Sequence, residues 1–222
     1  MGNFTALGVR LAVYMVASLL VGLAVREYVR ARAAASLGDP TPRLWGRVTL
    51  RPKAWFEPFG SGFVPGMIAL LWTVGVLTMP AAYAKPAPID PNYLRRYPRD
   101  IVLASLAGPI ASIVLAVLGG LVVRAGPTGE LGSAILTFVY TNISLFVFHL
   151  LPIPGLDGGR LLALILPPPA REVYRNADRY LPLIVLVAVF VFTFLLSLAS
   201  LITGAICDAI TGVGCSRLFG FP

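Results

Sequence analysis

Histidine is nearly missing from this chain: His149 is the only one in 222 residues. A single imidazole leaves no second histidine to complete a metal site. Cysteine is almost as scarce, with Cys207 and Cys215 eight residues apart in a Gly-rich segment. That spacing is not a metal knuckle. No Gly-rich phosphate loop, Ser/His/Asp set or haem motif is present, so those chemistries are set aside. Charge is also thin. Only 13% of residues are Asp, Glu, Lys or Arg, and the ten acids are outnumbered by eighteen bases.

What fills the chain is apolar. The hydrophobic share is 57% and the mean hydropathy +0.82. Apolar segments run over 5–25, 62–84, 101–123, 132–151 and 180–206, near or above the ~18–20 residues that cross a bilayer. The composition predicts an all-α polytopic membrane protein, one membrane-embedded domain over 1–222. The uncharged part of the first run, Leu11 to Val25, is preceded only by Arg10 and followed by no small-residue cleavage site, so it reads as a retained span rather than a signal peptide. Leu44-Trp45-Gly46-Arg47-Val48-Thr49-Leu50 alternates between Pro42 and Pro52 and predicts a short strand. Lys85 to Asp100 reads as loop. Gly108, Gly119 and Gly120 predict close helix packing.

The net charge of +8 is read as topology rather than nucleic-acid binding, because most bases flank the apolar runs. If all five segments cross, the eighteen bases divide nine to nine. If 62–84 re-enters and returns, they divide fifteen to three, the three being Arg10, Arg124 and Arg217. The positive-inside bias favours the second arrangement. Pro65-Gly66, Gly75 and Pro80 are breakers suited to re-entry. The expectation is four spans plus a re-entrant segment in a bacterial plasma membrane, with 26–60 cytoplasmic. Five clean spans are the alternative. Tail 207–222 then lies on the outer, oxidising face, where Cys207 and Cys215 pair in a disulfide or remain two thiols. Basic Tyr93 to Arg99 meets lipid headgroups.

Two stretches carry chemistry. Arg26-Glu27-Tyr28-Val29-Arg30 lies where the first apolar run ends, and helix continues through Ser36. Helical spacing stacks Arg26 on Arg30 with Glu27 beside them. The spacing is that of the helical zinc motif H-E-x-x-H, with arginine at both histidine positions. The second stretch is Asn142 through Arg160. A span breaks at Pro152 and Pro154, which presents Asp157 at a Gly-flanked point near the membrane. Ionisable groups there are functional candidates by default.

These residues, with Leu37-Gly38-Asp39-Pro40-Thr41-Pro42, Gly46 to Leu50, Trp55 to Gly60, Ala84 to Pro88, Ala107-Gly108-Pro109 and Leu151 to Gly158, resemble the site-2 protease family of intramembrane zinc metalloproteases, in its short bacterial branch. The resemblance implies that family's helical core, with a short β element and a re-entrant segment. It also implies that Arg26 and Arg30 stand where the family has zinc-binding histidines. Glu27 stands where it has the general base, Asp157 where it has the third ligand, and His149 where it has asparagine. Arginine does not lose its proton and so offers no lone pair to zinc.

The expectation is therefore a metal-free pocket. Arg26, Glu27, Arg30 and Asp157 sum to zero charge, as would zinc with two carboxylates and two neutral histidines. Asn142 and His149 are expected around that network. The alternative places both arginines at the headgroups. The function expected is that of an inactive relative, a scaffold, accessory subunit or regulator of another integral membrane protein, with membrane lipids as further partners. An active protease with atypical zinc ligands is the alternative.

Overall fold

The computed structural model describes residues 2–74, 79–190 and 193–215. Among them the chain is helical and contains no strand. The first helix, α1 (Gly2–Ser36), has 35 residues, about 50 Å at 1.5 Å per residue. It therefore carries the first apolar run and the charged stretch on one rod. Its end is set by Gly38 at φ +115° and by buried Asp39. The Asp39 carboxylate accepts from the backbone N–H of Thr41 and of Asp90, both at 2.9 Å. Leu37-Gly38-Asp39-Pro40 thus stops the helix and pins the distant 90s loop to it.

The segment read as a strand is not one. Thr41–Leu44 forms a helical turn, α2, and Pro52–Trp55 another, α3. Pro42 and Pro52 fall in the first turns of these helices, where their fixed φ and missing N–H are tolerated. Between them Arg47 reaches across the loop. Its Nη1 donates to the Ala54 carbonyl and, at 3.3 Å, to that of Lys85. Alternation of residue type suggested a ladder, but the backbone is held by a guanidinium.

A π-helical turn over Pro58–Phe63 leads into α4 (Val64–Thr73). Gly75, expected as a breaker, lies outside the described residues. Residues 79–90 carry no helix. Tyr83 N–H donates to the Gly60 carbonyl at 3.1 Å and Lys85 N–H to that of Trp55 at 2.8 Å. The segment that leaves at Pro58 thus returns to its starting level by Tyr83.

Helices α5 (Arg99–Arg124) and α6 (Gly129–Leu150) follow, then α7 (Asp157–Ile165), α8 (Pro168–Asn176), α9 (Leu181–Phe190) and α10 (Thr193–Thr211). α1 packs against α4, α5 and α6, and α10 closes on α5 and α6. α1, α5 and α6 are each long and apolar enough to cross a membrane. Along α5, Ile110, Val114, Val117, Leu118 and Leu121 are exposed, a surface suited to lipid rather than water. The interior is correspondingly polar in places. Thr137, Asn142 and Ser144 of α6 each donate a side-chain hydrogen bond to a carbonyl one turn back.

Opposite the Arg26 end, three ties close the bundle. Arg10 pairs with Glu130. Arg124 donates to the carbonyls of Ala209 and Ile210 at 2.8 and 2.7 Å, occupying acceptors at the end of α10. Cys207 and Cys215 are joined in a disulfide. Arg217 and the rest of the tail beyond Cys215 lie outside the described residues.

Candidate functional site: a buried arginine–carboxylate cluster

Three elements meet at the site. α1 presents Arg26, Glu27 and Arg30 from one turn. The last turn of α6 presents His149. Asp157 is the first residue of α7, where the helix N-terminus favours a carboxylate. The turn that delivers it is tightly specified. Leu151 to Leu156 leave helix geometry, with Gly155 at φ +87°. A Cβ on Gly158 would overlap the carbonyl oxygen of Leu150, and one on Gly159 that of Ile153. The Gly158-Gly159 pair lets α7 start directly beneath the end of α6.

The charged groups alternate in sign. Arg26 Nη2 donates to Asp157 Oδ2, and Arg30 Nη1 donates to Asp157 Oδ1 at 3.1 Å. Arg30 Nη2 lies 2.9 Å from Glu27 Oε2, and Arg26 Nε 3.8 Å from Glu27 Oε1. Each oxygen of Asp157 is thus taken by a different guanidinium. All four residues are buried, Arg26 at 0% and Asp157 at 1% exposure. The ring sums to zero charge, which is what makes such burial tolerable.

The surroundings fit the cations. Gly108, just before Pro109 within α5, leaves room for Arg26: a Cβ there would sit 3.3 Å from its Cγ and Nη2. Arg30 Nη2 also approaches the Ala87 carbonyl at 3.5 Å. His149 Nε2 lies 3.1 Å from the Ala82 carbonyl. A carbonyl only accepts, so Nε2 carries the proton. Nδ1 is then left 3.8 Å from Asp157 Oδ2. Nearby, burial holds the Arg47 guanidinium below its ordinary pKa while the Glu27 carboxylate pulls it back up.

Arg26, Glu27, Arg30, Asp157 and His149 are therefore brought together. Asn142 is not among them. It packs against Gly22, one turn before Arg26, and its amide donates to the Phe138 carbonyl at 2.9 Å. Cys207 and Cys215 lie at the far end of the bundle. Sequence reasoning missed the acceptor carbonyls of Ala82 and Ala87. Only the block Ala84 to Pro88 drew attention to that stretch, and backbone atoms leave no trace in residue type.

The architecture and site define a multi-pass helical membrane protein with charged groups sealed inside its helical core. Known proteins specify the class further. The chain is 29% identical over 190 residues to Putative zinc metalloprotease YwhC of Bacillus subtilis, covering 81% of each chain. It is 32% identical over 183 residues to Putative zinc metalloprotease Rip2 of Mycolicibacterium smegmatis, covering 79% of this chain and 66% of that one. Rip2 of Mycobacterium tuberculosis is 29% identical over 171 residues, covering 76% and 63%. No protein-family model and no solved structure matches. The chain belongs to the site-2 protease family of intramembrane zinc metalloproteases.

Proposed function

We propose that this chain is a catalytically inactive site-2 protease relative, serving as a scaffold, accessory subunit or regulator that binds another integral membrane protein. The observation that carries the reading is the occupation of Asp157 by two guanidiniums. A zinc site needs three protein ligands with free lone pairs plus a water. Here Arg26 and Arg30 offer none, and they cover both oxygens of the carboxylate that the family would use. The guanidinium nitrogens Arg26 Nε and Nη1 and Arg30 Nε are buried without a hydrogen-bond acceptor. Among the described residues no group of three or more His, Cys, Asp or Glu side chains is placed to hold a metal. The donor set therefore does not fit zinc, and no hydrolytic step is derived for it.

In this reading Arg26 and Arg30 stand at the family's histidine positions, and Glu27 is a general base without a metal-bound water to act on. The relatives' names favour a second reading, an active metalloprotease with atypical ligands that retains Glu27 and Asp157.

Reconstitution with a transmembrane substrate separates the two. The proposal predicts no cleavage by the wild-type protein, and Glu27→Gln changes nothing. Cleavage that disappears in Glu27→Gln overturns it. Cross-linking in native membranes followed by purification in mild detergent tests the binding role. A stoichiometric membrane-protein partner is expected, and recovery of this chain alone argues against that role.

A further inference from the structure

We propose that the basic cavity beside the end of α1 binds the phosphate-bearing headgroup of an anionic phospholipid. This inference is independent of whether the charged cluster ever holds a metal. The cavity has a volume of about 850 Å³ and is lined by Arg32, Arg43, Arg51 and Lys53 with Gly46, Val48, Thr49 and Ala54. Four cations line it and no carboxylate does. None of the four is in an ion pair among the described residues.

Their isolation follows from how the region's acids are used. Residues 26–60 contain three, Glu27, Asp39 and Glu57. Glu27 is committed to Arg26 and Arg30. Asp39 accepts from the N–H groups of Thr41 and Asp90. Glu57 accepts from the Gly60 N–H at the start of the π-helical turn. The neighbouring cation Arg47 is also spent, on the carbonyls of Ala54 and Lys85. The remaining four guanidinium and ammonium groups converge on one concavity with no counter-ion from the fold.

The rim decides which anion. Leu44, Trp45, Leu50 and Phe56 are all exposed, at 81, 68, 54 and 41%, and they lie on the same 41–56 segment that supplies Arg43, Arg51 and Lys53. Large apolar side chains turned outward beside a basic concavity match the boundary between acyl chains and headgroups, where tryptophan concentrates and Lys and Arg meet anionic lipid. A free nucleic acid or soluble metabolite would leave those apolar groups in water. α1 also carries the cavity to that depth. Its apolar run ends at Val25, and Arg32 lies about 10 Å further along the axis at 1.5 Å per residue.

Native mass spectrometry of the full chain in detergent, titrated with phosphatidylglycerol, phosphatidylcholine or inorganic phosphate, tests the site. Phosphatidylglycerol is expected to bind the wild type about tenfold more tightly than phosphatidylcholine. Arg43→Gln/Arg51→Gln removes most of that preference, Arg43→Lys/Arg51→Lys keeps it, and Arg10→Gln/Arg124→Gln, at the opposite end of the bundle, leaves it intact. Inorganic phosphate does not displace the lipid. Equal affinity for the two lipids overturns the proposal. So does equal loss in the Arg10/Arg124 control, which makes the preference a bulk-charge effect, or displacement by phosphate, which makes the ligand a free anion.

Discussion

In the function proposed here, the Asp157 carboxylate is the point at which this protein departs from a metal site. Two cations reach it from one face of α1, and each takes one oxygen. Removing a single partner from a buried ion pair leaves an uncompensated charge, at a cost of roughly 3–5 kcal/mol. Asp157→Asn is therefore expected to lower stability by about that much, read as a fall in the thermal midpoint in detergent. Adding Arg26→Met to Asp157→Asn is expected to recover part of the loss, because the stranded cation goes with its partner. Strict additivity of the two changes would contradict the pairing. Helical spacing alone grouped Arg26, Glu27 and Arg30, and the family resemblance added Asp157 to them. In a chain this apolar, four charged groups near one membrane depth must neutralise one another or find water. What residue type could not supply was the polar remainder of the pocket. Ala82 and Ala87 contribute only backbone carbonyls. Asn142, grouped with the cluster by sequence, is seven residues before His149, about two helical turns away.

The turn from α6 into α7 determines whether Asp157 arrives at all. Gly158 and Gly159 lie directly against carbonyl oxygens of 150–153, whereas Gly66, in α4, has open space where a Cβ would go. Gly158→Ala is expected to cost about 1–3 kcal/mol or more through backbone displacement. Gly66→Ala should be neutral, or stabilising by up to ~1 kcal/mol through helix propensity. Unfolding midpoints for the pair check this, and equal effects would contradict the packing described. The broken helix at Pro152 and Pro154 was plain in the sequence because proline and glycine act locally. The 44–50 loop was misread because alternation reports side-chain type and not partners. A strand needs a neighbour to bond to, and this segment has instead Arg47 clamped onto two carbonyls.

Taken whole, the protein has one end rich in arginine and one end held by a disulfide. The Arg26 cluster, the basic 41–53 loop and the 85–99 loop gather at the first. Arg10, Arg124 and the Cys207–Cys215 bond gather at the second. Positive-inside bias and the persistence of disulfides in oxidising compartments predict that the first end faces the cytoplasm. Cysteines introduced as Thr49→Cys, Asn92→Cys and Gly126→Cys, labelled in right-side-out and inverted vesicles, test this. Positions 49 and 92 are expected on the cytoplasmic side and 126 outside. Labelling of 49 and 92 from opposite sides would mean that 62–84 crosses the membrane completely. The spans α1, α5 and α6 and their order were legible because apolar length alone sets them, whereas 180–206, expected as one span, is carried by α9 and α10 with 191–192 outside the described residues. The pairing of Tyr83 with Gly60 and of Lys85 with Trp55 was not, since backbone pairing at that depth carries no periodic signature.

Metal content measured by elemental analysis, on wild type and on Arg26→His/Arg30→His purified in parallel, bears most directly on the idea that guanidiniums have replaced zinc. The wild type is expected to carry only trace zinc, and the double variant, with two imidazoles beside Asp157, to retain about one equivalent. A full equivalent in the wild type, lost in Asp157→Asn, would contradict the account.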